Sequence, residues 1–198
     1  MPRCGRILVD HNQGETAMQR TIVQPPVLEG AALAELKHWL GISRPNDDAA
    51  LTGLLETSVT ICEAFTGQAP LRQTVEEIIP LVSGWQELVS RPVQDLTGAA
   101  LIGNDGTRQP LTIPADTLDV RIGGKASVQL LQPLEGRGLA LELVVGIAAQ
   151  WNGLPPPLRQ GIIRLAAHHY RDREGKASAV PPASVTALWR PWRDTRLG

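Results

Sequence analysis

The sequence predicts an α+β fold: a small helical bundle of about three main helices plus a short C-terminal helix, with an antiparallel β insertion between the second and third helices. Apolar residues recur every three or four positions near both ends of the chain, whereas short runs of β-branched and leucine residues fill the middle. The chain has 198 residues, 42% of them hydrophobic, which is enough to bury its own core. We divide it into a leader (1–24), a main domain (25–175) and a C-terminal arm (176–198).

The leader, residues 1–24, is mixed and polar without sustained periodicity, and we expect it to be irregular. No apolar run approaches the roughly 18 residues of a membrane span, and no signal peptide is indicated. Cys4 lies in this leader and Cys62 on an apolar helix face, so a disulfide between them is not expected. These features favour a reducing compartment, and we expect a cytoplasmic protein without membrane contact.

The first two helices are predicted at about 28–40 and 47–66. In the first, three leucines spaced three and four apart share one face, and Gly41 follows as a C-terminal stop. In the second, apolar and small residues recur at the same spacing after a cap at Asn46 or Asp47. The two apolar faces must cover each other or a third element.

The β insertion is predicted at about 71–148, where turn residues separate short apolar runs. The turn sequences at 104–106 and at Gly123-Gly124 favour hairpins, because they tolerate positive φ where the chain reverses. The expected strands share a high content of β-branched residues or leucine and are Thr74–Val82, Trp85–Val89, Gly98–Ile102, Leu111–Ile113, Leu118–Ile122, Ala126–Leu131 and Leu139–Ile147. Together they predict a small antiparallel sheet, with prolines at its edges or breaks.

The third helix is predicted at about 156–174, because prolines precede it and Gly175 ends it. In the arm that follows, residues 183–190 can form two helical turns before Pro191 stops them. The two prolines at 181 and 182 restart the chain ahead of that short helix.

Charge is divided unevenly along the chain. Residues 155–198 contain eight Arg or Lys and three Asp or Glu, whereas residues 1–154 contain 11 and 17. Such asymmetry indicates that the basic end meets an acidic surface, either nucleic acid or a partner protein. The alternative is a genome that favours arginine codons, since Arg outnumbers Lys 16 to 3.

No catalytic or metal site is indicated. His168 and His169 are adjacent on a predicted helix, ~100° apart around its axis, so they cannot both face one metal ion. Glu76 and Glu77 lie on opposite faces of a predicted strand. The glycine-containing turns lack the spacing of a phosphate-binding loop. We therefore expect a protein that is not an enzyme and that needs no metal or cofactor.

The arm carries the strongest candidate site. Its candidate partner-binding residues all have indole or guanidinium side chains: Trp189, Arg190, Trp192, Arg193 and Arg196. We expect the indoles to act as anchors in a groove of a partner, because Trp and Arg are enriched at binding hot spots. Val180, Pro181 and Pro182 would form the hinge that lets the arm reach across. Two alternatives stay open: the arm folds back on its own domain, or its basic and aromatic residues bind single-stranded nucleic acid.

Several segments point to a known family: Leu33–Leu40 (LAELKHWL), Glu63–Gln68 (EAFTGQ), Leu71–Thr74 (LRQT), Arg91–Gln94 (RPVQ) and Leu154–Ile162 (LPPPLRQGI). In their order and spacing, they resemble the head-tail connector, or adaptor, proteins of long-tailed bacteriophages and of phage-derived gene transfer agents. The resemblance extends over roughly residues 27–196.

The resemblance implies a structural role, without turnover, in DNA packaging and particle assembly. Family members form a ring, about twelve copies joined head to tail, beneath the portal at one capsid vertex. The expected function is to extend the DNA channel and to join the DNA-filled capsid to the stopper and tail. The chain would be cytoplasmic during assembly and then lie in the neck of a virion or gene transfer agent particle.

The partners that the resemblance implies are other copies of the chain, a portal protein, a stopper or tail-completion protein, and DNA that passes without sequence-specific contact. The C-terminal arm would bind the portal, and the first two helices would carry ring contacts. The alternative function is a nucleic-acid-binding module that uses the basic C-terminal arm.

Overall fold

The computed structural model describes residues 19–111, 117–122, 125–172 and 180–193. Its helices are α1 (Gly30–Leu40), α2 (Asp48–Thr66), α3 (Pro156–Arg171) and α4 (Ala183–Trp189). Its strands are β1 (Gln19–Gln24), β2 (Gln73–Ile79), β3 (Gly84–Glu87), β4 (Val93–Ile102), β5 (Arg108–Leu111), β6 (Leu118–Arg121), β7 (Ser127–Leu130) and β8 (Gly138–Val145). The predicted α+β class is confirmed.

Glycines end the first two helices, as the sequence predicts for Gly41. Gly41 and Gly67 follow α1 and α2 with φ of 71° and 73°, the left-handed conformation that a C-terminal stop requires. The start of α2 differs from the prediction of a side-chain cap at Asn46 or Asp47. The Asp47 side chain makes no cap hydrogen bond, and its carboxylate instead accepts one from the Tyr170 hydroxyl at 2.9 Å. This contact ties the start of α2 to the end of α3.

The strands form two antiparallel sheets, where the sequence predicted one small sheet. The five-stranded sheet has the order β1-β2-β8-β4-β5, and the three-stranded sheet has the order β3-β7-β6. The hairpin predicted at residues 104–106 joins β4 to β5, and the turn between β6 and β7 lies partly outside the described residues. Sequence runs identify the strands, but pairing across the sheets depends on long-range contacts that no local pattern encodes.

Strand β1 corrects the expectation of an irregular leader. Residues 1–18 lie outside the described residues, but Gln19–Gln24 pair with β2, with an irregularity between Ile22 and Gln24. The Arg20 side chain fixes this edge, because it contacts the Glu63 carboxylate of α2 at 2.5 Å and the Ser90 hydroxyl at 3.1 Å. The strand therefore forms through contacts made at a distance, and its own composition gives no periodic signal.

Two hydrophobic cores hold the elements together. One lies among the four helices and includes Leu36, Leu55, Trp151 and Ile162, none more than 1% exposed. The other lies between the inner face of the five-stranded sheet and the three-stranded sheet. Backbone hydrogen bonds between segment 69–72 and residues 147–148 join the two regions. In the described part of the chain, no helix has the length and apolar character to cross a membrane.

Candidate partner-binding surfaces

Trp189 is a core residue of its own domain, contrary to the prediction that its indole stands out as a partner anchor. Its side chain is 0% exposed and lies on Gly161 of α3. The indole Nε1 donates a hydrogen bond to the Leu158 carbonyl at 3.3 Å, and the ring centroid lies 5.9 Å from that of Phe65. The glycine matters here, since a Cβ at position 161 would lie 2.1 Å from Nε1. The arm thus follows the alternative in which it folds back.

The other residues of the predicted site are less buried than Trp189. Trp192 is half-buried, and its carbonyl accepts a hydrogen bond from the Gln68 side chain at 2.6 Å. Arg190 and Arg193 are exposed, with the Arg193 guanidinium 5.7 Å from the ring of Phe65. Arg196 lies outside the described residues. The exposed part of the arm is therefore basic, whereas the indole of Trp189 faces inward.

The predicted hinge lies at the start of α4. Val180 is 70% exposed, and Pro181 and Pro182 are half-buried. The Pro182 carbonyl accepts hydrogen bonds from the N–H groups of Val185 and Thr186 at 2.9 and 3.0 Å. Pro182 is thus already part of the helix start, and any bending must occur before it.

A second basic surface, which the sequence analysis did not single out, lies on the outer face of α3. We define the basic helix patch as Trp39, Arg164, His168 and Arg171. The three α3 residues are spaced at four and three, so they share one face and span about 10 Å along the helix. Trp39 of α1 is 44% exposed and its ring lies 5.7 Å from the Arg164 guanidinium. Together with the start of α4, the patch lines a cavity of about 310 Å³.

The charges of the basic helix patch have no acidic partner among the residues that the structure describes. Next to the patch, burial and the nearby His168 lower the pKa of His169. The spacing of Arg164, His168 and Arg171 could have been noticed in the sequence. The position of Trp39 could not, because it depends on how α1 packs against α3.

An acidic surface lies on the outer face of the five-stranded sheet. We define the acidic sheet face as Glu76, Asp95 and Glu142. The register pairs Glu76 directly with Glu142 across β2 and β8, and it pairs Asp95 with Val144 on the same face. Glu76 forms an ion pair with Arg108, with one nitrogen to oxygen distance of 2.9 Å. Glu142 accepts a hydrogen bond from the Thr97 hydroxyl at 3.1 Å.

Two potentially reactive side chains among the described residues, Cys62 and Glu77, are buried. Within these ranges no group of three or more His, Cys, Asp or Glu residues could hold a metal ion. Burial raises the pKa of the Cys62 thiol, which makes it a poor nucleophile. Buried Glu77 is held by two backbone N–H groups, from Val89 at 2.7 Å and Ser90 at 3.0 Å, so its role is structural.

Solved structures of gene transfer agent particles contain chains with this fold. One, from the neck of an empty particle computed with C6 symmetry, has a TM-score of 0.74 and 24% identity, covering 90% of this chain and 97% of that chain. The fold is that of a particle neck chain. A chain from the virion of a native particle has a TM-score of 0.72, and one from a native neck with C12 symmetry has 0.69, each at 24% identity.

The second and third matches cover 90% and 89% of this chain, and each covers 97% of the matched chain. No family model and no curated protein matches the sequence. The resemblance predicted from the sequence is therefore confirmed at the level of the fold.

Proposed function

We propose that the chain is a structural, non-enzymatic component of the neck of a virion or gene transfer agent particle. The proposal assigns it the role of an adaptor, whose copies form a ring beneath the portal and extend the DNA channel towards the stopper and tail. The observation that carries it is the shared fold, which spans 97% of a chain from a gene transfer agent neck at a TM-score of 0.74.

The proposed ring has about twelve copies. Support comes from the C12 symmetry with which one of the matched necks was computed. A closed ring of identical copies requires head-to-tail contacts, in which one face of each subunit binds a different face of the next. The charge division of this chain provides two such faces of opposite sign.

The C-terminal arm is the proposed portal contact, but the roles of its residues differ from those expected from the sequence. Arg190 and Arg193 are exposed and would bind the portal, with Trp192 and Arg196 as further candidates. Trp189 would hold α4 on its own domain instead of entering the portal. The arm would thus be presented from a fixed position, which lowers the entropy cost of binding.

DNA would pass through the ring without sequence-specific contact. Each phosphate that a basic side chain neutralises adds affinity, and tight binding would slow transit. The acidic excess of residues 1–154 is suited to a channel that does not hold DNA. The stopper or tail-completion protein is the proposed partner on the far side of the ring.

The test is to mix the protein with the purified portal of the same particle and to image the products by negative-stain electron microscopy. We expect rings of the protein attached to one end of the portal. Replacing Arg190 and Arg193 by serine should weaken attachment, whereas the matched variant Arg72→Ser, at an exposed position outside the arm, should not. Absence of any attachment by the wild-type protein would refute the adaptor role.

Point substitutions are better suited to this test than removal of the arm. Deleting residues 180–198 would also remove Trp189 from the helical core, so that a loss of binding would be confounded with unfolding. Circular dichroism spectra of the serine variants should match the wild-type spectrum, because both arginines are exposed.

The nucleic-acid-binding alternative makes a different prediction. It requires that the isolated protein binds DNA or RNA without a portal, and that the affinity falls steeply with salt. Fluorescence anisotropy with labelled single- and double-stranded DNA measures this directly. Weak binding at physiological salt by a protein that still binds the portal supports the adaptor.

A further inference from the structure

We propose that the basic helix patch of one copy binds the acidic sheet face of the next copy. The inference rests on the proposed ring and names the contact that would build it. The two surfaces belong to different elements, α3 with α1 on one side and the outer face of β2, β8 and β4 on the other. A copy that uses one surface towards each of two neighbours makes head-to-tail contacts.

The basic helix patch has the features of a protein-binding surface. It presents two guanidinium groups and an imidazole along one helix face, and no carboxylate among the described residues neutralises them. The exposed indole of Trp39 lies beside Arg164 and adds a large apolar contact area. Exposed indole and arginine side chains together are typical of binding hot spots.

The acidic sheet face is complementary in charge and also offers apolar contact area. Glu142 and Asp95 are exposed, and neither pairs with a cation in the described part of the chain. Half-buried Ile78 and Val144 lie on the same face of the sheet and provide an apolar surface for an indole. In the register, Glu76 and Glu142 lie between Ile78 and Val144. An incoming helix would therefore meet carboxylates flanked by apolar side chains, a mixture of polar and apolar contacts that protein interfaces also contain.

The opposite charges of the two surfaces favour a second copy of the chain as the partner. A twofold dimer pairs them only if both surfaces of each copy lie within one interface, whereas in a head-to-tail contact each copy uses its patch towards one neighbour and its face towards the next. Like charges brought together at an interface are unfavourable, whereas opposite charges steer association. The same complementarity can repeat from copy to copy until a ring closes.

The experiment uses two variants that each lose one surface. The patch variant carries Arg164→Gln and Arg171→Gln, and the face variant carries Asp95→Asn and Glu142→Gln. Each alone should self-associate at least about tenfold more weakly than the wild type, since close interfacial charge pairs couple strongly. Mixed one to one, they retain one intact pairing and should form a heterodimer, measured by sedimentation velocity and native mass spectrometry.

A matched control carries Arg44→Gln and Asp119→Asn, exposed charges outside both surfaces, and should associate like the wild type. The inference is overturned if the two variants self-associate like the wild type, or if their mixture contains no heterodimer. Neither result depends on a portal. If the mixture contains no heterodimer while the wild type still forms rings on the portal, the ring is built through other surfaces and the proposed function stands.

Discussion

The packing of Trp189 on Gly161 predicts that the effect of Gly161→Ala on stability changes sign when the indole is removed. Trp189→Ala removes a fully buried indole together with its hydrogen bond to the Leu158 carbonyl. Substitutions of buried Trp by Ala cost about 3–5 kcal/mol of unfolding free energy. Gly161→Ala places a methyl group 2.1 Å from the indole nitrogen, and overpacking of this kind costs about 1–3 kcal/mol.

The two substitutions should not be additive. Once the indole is absent, the new methyl group at position 161 enters empty space. Alanine in a helix interior is then favoured over glycine by roughly 0.8–1 kcal/mol. Gly161→Ala should thus destabilise the wild type but stabilise the Trp189→Ala variant, giving a coupling of about 2–4 kcal/mol, the sum of these two magnitudes.

Urea denaturation followed by circular dichroism measures the four free energies of this double-mutant cycle. Gly53→Ala is the matched control, because position 53 is a helical glycine with open space around it, and it should be neutral or stabilising in both backgrounds. If Trp189→Ala costs less than about 0.5 kcal/mol and Gly161→Ala stabilises the wild type, the arm does not lie on its own domain.

Three further predictions test the supporting structure. Glu77→Gln should cost about 1–3 kcal/mol in urea denaturation, because the carboxylate accepts hydrogen bonds from two buried backbone N–H groups; an unchanged midpoint would contradict this. Arg20→Ala should speed hydrogen exchange of the β1 amides, since it breaks the contact with Glu63, whereas exchange within α3 should stay unchanged. In a Cys4→Ser background, a thiol reagent should label Cys62 only after denaturation, because burial raises the pKa of that thiol; rapid labelling of the native protein would show an open helical core.

Local patterns in the sequence predict the helices and most strands well. The leucine spacing before Gly41 reflects the need of a helix to bury one face. The positive φ of Gly41 and Gly67 reflects the left-handed residue at which each helix ends. The seven expected strand segments each contain or overlap a strand of the structure. In contrast, β1 is specified by its pairing with β2 and by Arg20, so its own six residues carry no periodic signal.

The candidate site is harder to predict for a related reason. Two tryptophans among arginines indicate binding, but the pattern is the same whether the groove belongs to a partner or to the chain itself. Here the deciding residue is Gly161, 28 positions before Trp189, whose missing side chain leaves room for the indole. Likewise, the acidic sheet face arises from the register that places Glu76 beside Glu142. Tertiary contacts of this kind are not visible in the sequence alone.

The effect of Gly161→Ala on portal binding separates the two roles that Trp189 could have. If the indole entered the portal, displacing it from its own domain would free it, and binding should be equal or tighter. If α4 presents Arg190 and Arg193 from a docked position, the same substitution loosens the arm and should weaken binding. The physical reason is that ordering a loosened segment costs conformational entropy at the moment of association.

Gly161→Ala and Gly53→Ala should be compared by surface plasmon resonance on immobilised portal, at a temperature where both are folded. We expect weaker binding for Gly161→Ala alone, expressed mainly as faster dissociation. Tighter binding would show that the indole is the anchor. The substitution alters no side chain of the arm itself. A change in portal affinity in either direction therefore reports on the position of the arm and not on the loss of a contacting group.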